Sequence, residues 1–388
     1  MQPGTGGKVI LANVAWRSGA AYNGFYLSRD GGTTWTKTEI LGAINPKDIG
    51  NATLQYSADG TQLYVVLESP AALNSGKASA LAGVYVSKGG NAAGPYSLIA
   101  NPSKLAQSGS AERKQRIGGG YQPGVQAWYN QFIGVDPNNA NHVYVGLEEV
   151  YESWNGGATW STIGRYWDFG FSCWSYVDKN NTCDGNVVHS DQHAIAFGTG
   201  PSAGHVFVGN DGGLYDRVVS PTASSWDSLS KSGQLNMLQY YSVGVGKDVA
   251  HPGQVQVWGG LQDNGVSLLD PVNKGTMVSP YGGDGGQQLV DPENGCRTVG
   301  EYVDLTLQMT KNCGVADGSP PSDGAIITIA PNDPPPRFIA PFSATQTHPQ
   351  AGVAGRGSVR TTPVTWARQN RPTGAQGAHP GPRRPRPP

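Results

Sequence analysis

Three stretches of this chain repeat one plan, and that repetition limits what the chain can fold into more than any other feature. Residues 130–160 read NQFIGVDPNNANHVYVGLEEVYESWNGGATW, 191–216 read DQHAIAFGTGPSAGHVFVGNDGGLYD, and 239–270 read QYYSVGVGKDVAHPGQVQVWGGLQDNGVSLLD. Each opens with a strand of period two, turns at Asp, Asn, Pro or Gly, and returns as a second β-branched strand. Weaker copies run over about 8–40, 53–100 and 283–315, with a partial one from Ala325. A repeat of this length is one small sheet that cannot bury both faces alone, so the copies must stack. The predicted fold is all-β: a β-propeller of four-stranded blades, six recognisable and a seventh incomplete. The first blade lacks its innermost strand, which the C-terminal segment is expected to supply.

Composition supports strands over helices. Gly numbers 56 and Pro 28, while charged residues are only 14%, a mixture suited to short strands and tight turns. A net charge of −1 gives no global field for nucleic acid or an anionic membrane, and no apolar run approaches a membrane span. The cysteines fall as close pairs, Cys173 with Cys183 and Cys296 with Cys313. Each pair brackets a polar, turn-rich segment, which fits two local disulfides in an oxidising compartment. Four free thiols is the alternative; a metal site fits less well, because neither pair has CxxC spacing. Met1 is not followed by a basic and apolar leader, so a secreted chain implies a removed leader or a late start. After Asp333 no acidic residue occurs. The patterned domain therefore spans 1–342, and 343–388 reads as a low-complexity basic Pro/Gly/Arg tail, either disordered or read in a shifted frame.

One phrase inside the repeats is more specific. Ser28, Asp30, Gly32, Thr34 and Trp35 fill the pattern Ser-x-Asp-x-Gly-x-Thr-Trp, and Ser153, Asn155, Gly157, Thr159 and Trp160 fill it with Asn for Asp. A worn copy spans Ser87 to Tyr96. The pattern resembles the Asp box, or BNR repeat, of sialidases, xyloglucan-active glycoside hydrolases and sortilin propellers. VGNDGGLYD, GGLQDNG and GGDGG resemble bacterial secreted BNR-repeat glycosyl hydrolases. The resemblance covers about residues 8–342 and implies the fold more than the reaction. The box itself is expected to be structural: Asp or Asn accepts hydrogen bonds from its own turn, and Gly permits positive φ.

Propeller geometry then divides the residues between two ends. With strands A to D counted outward, the boxes sit on C–D turns. The A-strand starts and B–C turns gather at the opposite end. That end should hold Asn130, Gln131, Asp191, His193, Gln239, Tyr240 and Asp284 from A-strand starts. From B–C turns it should hold Glu68, Glu148, Glu149, Asp211, Asp263 and Asn264. The long D–A connection 165–190 adds Tyr166, Trp167, Phe169, Phe171, Trp174 and Tyr176. Aromatic rings beside carboxylates suit sugars: rings stack on pyranose faces while acids bind hydroxyls. Glycoside hydrolysis needs two carboxyl groups, and the candidates are Asp191, Asp211, Asp263 and Asp284. His193, Trp167, Trp174, Tyr166, Asn130, Gln131, Tyr240 and Glu148 are the candidate ligand-binding residues.

Asn-Asp-Gly-Gly and Asp-Asn-Gly are also ordinary turn sequences, and six aromatics can form a minicore beneath a loop. His189, Asp191 and His193 would share one face of a regular strand and could meet a metal, a less favoured reading; no cofactor is expected. The scattered arginines Arg17, Arg113, Arg116, Arg165, Arg217 and Arg297 do not form the triad a sialidase uses, and one propeller cannot make a cleft between two. The expectation is a secreted monomer that binds or hydrolyses a polysaccharide; the alternative is a non-catalytic, sortilin-like propeller that binds protein or peptide.

Overall fold

The computed structural model describes residues 1–112, 122–166, 187–222, 225–229, 235, 237–269, 277–310, 313, 326–328, 338–340, 342–344, 351–355 and 359–363. Trp167, Phe169, Phe171, Cys173, Trp174, Tyr176 and Cys183 lie outside these residues, as does the side chain of Tyr166. The chain divides into two compact units, Met1–Asn236 and Met237–Gln376.

Both units are built from antiparallel meanders, the blade architecture of a β-propeller. In the first unit, β1 (Ile10–Val14), β2 (Gly24–Ser28) and β3 (Thr36–Lys37) form a three-stranded sheet. Next come β4 (Ala52–Tyr56), β5 (Gln62–Glu68), β6 (Leu81–Lys88) and β7 (Tyr96–Ala100). The third sheet holds β8 (Phe132–Val135), β9 (Val143–Gly146), β10 (Val150–Ser153) and β11 (Ser161–Tyr166), with β12 (Val187–Val188) added in parallel to β11. The fourth holds β13 (Gln192–Phe197), β14 (His205–Asn210), β15 (Gly213–Val218) and β16 (Asp227–Ser228). The two five-residue helices, α1 (Pro70–Asn74) and α2 (Pro102–Ala106), start behind Ser69 and Asn101, whose side chains cap them.

The second unit repeats the plan. It contains β17 (Ser242–Lys247), β18 (Val255–Leu261), β19 (Gly265–Leu269) and β20 (Met277–Tyr281), then β21 (Gln288–Asp291), β22 (Asn294–Glu301), β23 (Thr306–Thr310) and β24 (Ile326–Thr328). Past residue 342, where the sequence loses its periodicity, β25 (Phe342–Ala344), β26 (Ala351–Gly355) and β27 (Val359–Pro363) pair as a three-stranded sheet. Cys296 and Cys313 are joined by a disulfide. Among the described residues no helix is long and apolar enough to cross a membrane.

Stacking explains why the strands are apolar on both faces. Along β5, Tyr64 and Val66 enter a core shared with Ile133, Val145, Tyr151 and Trp160 of the third sheet. The alternating residues Leu63, Val65 and Leu67 enter another with Phe25, Ile44 and Tyr96. Period two thus feeds two cores from one strand, and each such side chain contributes roughly 1.5–3 kcal/mol on full burial. The innermost strands follow: β8 packs beside β4 on one side and β13 on the other.

Both complete boxes lie on C–D turns, β2 to β3 and β10 to β11, as the blade count requires. The Ser28 hydroxyl donates to Asp30 (2.7 Å) and accepts from the Gly32 amide (2.8 Å). Asp30 takes the Thr34 amide and hydroxyl at 2.9 and 2.6 Å. In the second box Ser153 accepts from the Gly157 amide (2.8 Å) and Asn155 from the Thr159 amide (2.9 Å). Gly32 and Gly157 take φ of 95° and 87°, which side chains disfavour. The worn copy from Ser87 to Tyr96 is the β6–β7 turn.

Candidate functional site

The end of the first unit opposite the boxes collects the polar residues expected there. Glu68 ends β5, Glu148 and Glu149 form the β9–β10 turn, and Asp211 forms the β14–β15 turn. Segment 122–131 leads into β8 and lies among them. Its shape is local: Ala127 N–H donates to the Gly124 carbonyl, and the Tyr129 and Asn130 amides donate to the Gln126 carbonyl. Gln131 then bridges to the second sheet, donating to the Asn51 carbonyl (3.1 Å) and accepting from the Thr53 amide (3.1 Å).

On this frame a chain of contacts runs across the surface. The Arg17 guanidinium, from the β1–β2 turn, lies 4.3 Å from the Trp128 ring centre, a cation–π pair. Trp128 adjoins Tyr129, which meets His193 edge-to-face at 4.9 Å. His193 Nε2 lies 2.6 Å from Asp211 Oδ1, and the Tyr129 hydroxyl donates to Asp211 Oδ2 at 3.0 Å. Asn130 Nδ2 donates to Asp191 Oδ1 at 2.5 Å. Tyr129 is 44% exposed and the His193 side chain 35%, so the chain faces solvent. Behind Asp211, Gly212 is obligatory: a Cβ there would stand 2.3 Å from His189.

The two carboxyl groups are both half-buried and differ in their partners. Burial, reinforced by the charge of Asp211, raises Asp191 to about 6, against the hydrogen bond from Asn130. Asp211 accepts from two donors instead, and its hydrogen bond to His193 raises the imidazole above its ordinary value. Beneath them Glu148 is 2% exposed, with Oε2 on the Gly124 amide and Oε1 on the Gln126 amide, both at 2.7 Å. Burial first, then the charge of Asp191, raises Glu148 to about 7. Glu149 takes the Ala111 amide, the Ser110 hydroxyl and the Tyr151 hydroxyl. Glu112, fully buried, is raised well above its usual range by burial and by Glu148, Glu149 and Asp191.

The remaining sequence candidates fall elsewhere. Asp263 and Asp284 lie in the second unit, where Asp284 Oδ1 accepts the Asp263 amide at 3.1 Å. Both raise the Tyr302 hydroxyl, after burial, to about 12. Tyr240 is also there, its hydroxyl accepting from Ser267. His189, Asp191 and His193 do not share the face of a regular strand, because Asp191 takes φ 64° and a bulge separates Gln192 from Ala194. Among the described residues no His, Cys, Asp and Glu group could hold a metal ion. Sequence reading missed Trp128, Tyr129 and Arg17; the aromatic pair directly before Asn130 was the available signal.

No family model and no curated protein matches this chain. Among solved structures, the chain is similar to YCF48 bound to D1 peptide, with 11% identity, a TM-score of 0.32, and coverage of 94% of this chain and 92% of that one. YCF48 from Cyanidioschyzon merolae gives 11% identity and a TM-score of 0.30 over 91% and 95% of the two chains. An ancestral GH74 enzyme gives 12% and 0.33 over 90% of this chain and 61% of that enzyme. Likeness at this level carries nothing about ligand or reaction, so the chemistry of the site must decide.

Proposed function

We propose that this rim binds a glycan chain in a secreted Asp-box propeller of glycoside-hydrolase type, with Asp191 the proton donor and Asp211 its carboxylate partner. The observation that carries the reading is the contrast between these two neighbours. Asp191 is half-buried and keeps its proton to about pH 6, while Asp211 is supported by the His193 and Tyr129 donors. A carboxyl that keeps its proton beside one held by hydrogen-bond donors can divide acid from base or nucleophile work. The exposed Tyr129 ring and its neighbour Trp128 offer the apolar surface on which a pyranose face stacks.

The test is reducing-sugar release from a panel of plant and bacterial polysaccharides. Asp191→Asn and Asp211→Asn should each abolish turnover with the circular dichroism spectrum unchanged, and wild-type kcat/KM should fall as pH rises through about 6. Unchanged turnover in both variants overturns the assignment. Capture of a specific protein without any glycan binding would favour the non-catalytic alternative.

A further inference from the structure

We infer that Glu148 is the positioning residue of this rim: its carboxylate, by holding the Gly124 and Gln126 amides, sets the segment that presents Trp128, Tyr129 and Asn130, and proton uptake loosens that hold. The inference deepens the glycan-binding reading and rests on it for its consequence, though its structural part can be measured without a ligand.

The geometry forms a short linkage. Glu148 Oε2 takes the Gly124 amide and Oε1 the Gln126 amide. The carbonyls of the same two residues take the amides of Ala127, Tyr129 and Asn130. Fixing two peptide units therefore fixes the Tyr129 ring against His193 and the Asn130 amide against Asp191. On its other side the segment is tied to the loop after α1, with Ser79 donating to the Pro123 carbonyl (2.8 Å) and Ala80 N–H to that of Gly124 (2.9 Å). Those bonds involve neutral groups only, whereas amide bonds to an ionised carboxylate are about twice as strong. Glu148 is thus the charged member of the clamp.

The groups facing Glu148 explain why its charge is conditional. Asp191 approaches from the turn before β13, Glu112 from the segment after α2, Glu149 from its own turn and Tyr151 from β10. Beyond Asp191 stand Asp211 and the imidazole of His193. Glu112 Oε2 and Asn130 Oδ1 are buried without a hydrogen-bond partner among the described residues. Like charges buried together cannot all ionise, and these acids do not converge on a metal-binding point. Protons must relieve the repulsion, so the charge on Glu148 changes with pH near neutrality. Local opening of the segment breaks the two amide bonds that lower this carboxyl while leaving it buried, so ionisation favours the closed segment.

Hydrogen exchange of the full chain, resolved by mass spectrometry, tests this after correction for intrinsic rates. A peptide spanning 122–131 should be roughly tenfold better protected at pH 8 than at pH 5.5, the factor expected from one charge-assisted bond. A control peptide over β5 should not change. Glu148→Gln should remove the pH response and leave the segment in its less protected state. If that variant fails to fold, Asp191→Asn serves instead: without the Asp191 charge, the midpoint of the wild-type response should move to lower pH. Equal protection of 122–131 at both pH values overturns the inference. Titrating cello- and xyloglucan oligosaccharides at the same two pH values separates the readings. Binding that tightens at pH 8 supports both; a protection change without binding sustains the positioning role and sinks the glycan one.

Discussion

Asp30 and Glu148 sit at opposite ends of the first unit and do similar things with different consequences. Each accepts hydrogen bonds that shape a turn, yet Asp30 is held at about 2 and Glu148 at about 7. The hydrogen bonds from Thr34 and Ser28 dominate at Asp30, which stands in water. At Glu148 burial outweighs two amide bonds. The donors also differ in origin: those on Asp30 come from two residues before it and four after, those on Glu148 from more than twenty residues away. The box is a turn that organises itself. The rim turn is a clamp on remote chain, and the carboxylate that clamps must be dehydrated to do it.

The largest effect that could break this contrast is truncation. Glu148→Ala strands two buried amides and removes bonds to a charged group, at about 3–4 kcal/mol in all. Ser153→Ala, which takes one amide acceptor from the second box, should cost only about 1 kcal/mol. Urea unfolding monitored at several wavelengths measures both. A box variant as costly as the rim variant would erase the distinction.

Opposite pH dependences should follow, with the next largest effect. Where Glu148 stands in the turn just past the end of β9, Glu68 and Glu301 end the second strands of their own sheets. Glu68 accepts the Asn51 amide and Glu301 the Ala340 amide, and each is raised by burial to about 7. A carboxyl raised from 4.5 binds its proton more tightly folded than unfolded. Its presence therefore costs stability as pH rises from about 4.5 to about 7, on the order of 3 kcal/mol per group at the upper limit. Asp30, lowered from 3.8, does the reverse: its contribution is present above pH 3.8 and is lost as pH falls through about 2. Denaturation curves at pH 4.5 and 7.5 should show the loss, and Glu68→Gln should flatten it. Rim protection should grow over the same interval, because local opening removes only the two amide bonds that lower Glu148 whereas global unfolding returns the carboxyl to water.

These differences mark where sequence reading succeeds. The box was legible because its donors and acceptors are neighbours in the chain, and its position fixed which end holds the A-strand starts and B–C turns. Asp191, His193, Asn130, Gln131 and Asp211 were placed at one end for that reason, and the structure brings them together. The clamp was not legible, because Glu148 acts on Gly124 and Gln126 through tertiary packing that no local pattern encodes. Glu148 looked like a ligand-facing acid until its burial was seen. Arg17 looked scattered for the same reason: its partner Trp128 is more than a hundred residues away. Tyr129 was hidden by an expectation that the aromatic loop 165–190 would supply the rings.

The smallest effect is the sharpest probe of the rim itself. His193 is raised chiefly by its hydrogen bond to Asp211 and only afterwards by the charges of Asp211 and Asp191, against a lowering by its own burial. Asp211→Asn removes the leading cause and one of the charges, so the imidazole C2–H titration should move to lower pH. Tyr129→Phe should move it slightly the other way, because Asp211 loses a competing donor and becomes the better acceptor for His193. No comparable coupling exists at the box, where Asp30 answers to its own turn. A His193 titration indifferent to both substitutions would mean that the carboxylate, ring and imidazole are neighbours without being a unit, and Asp211 would then lose its claim to a chemical role.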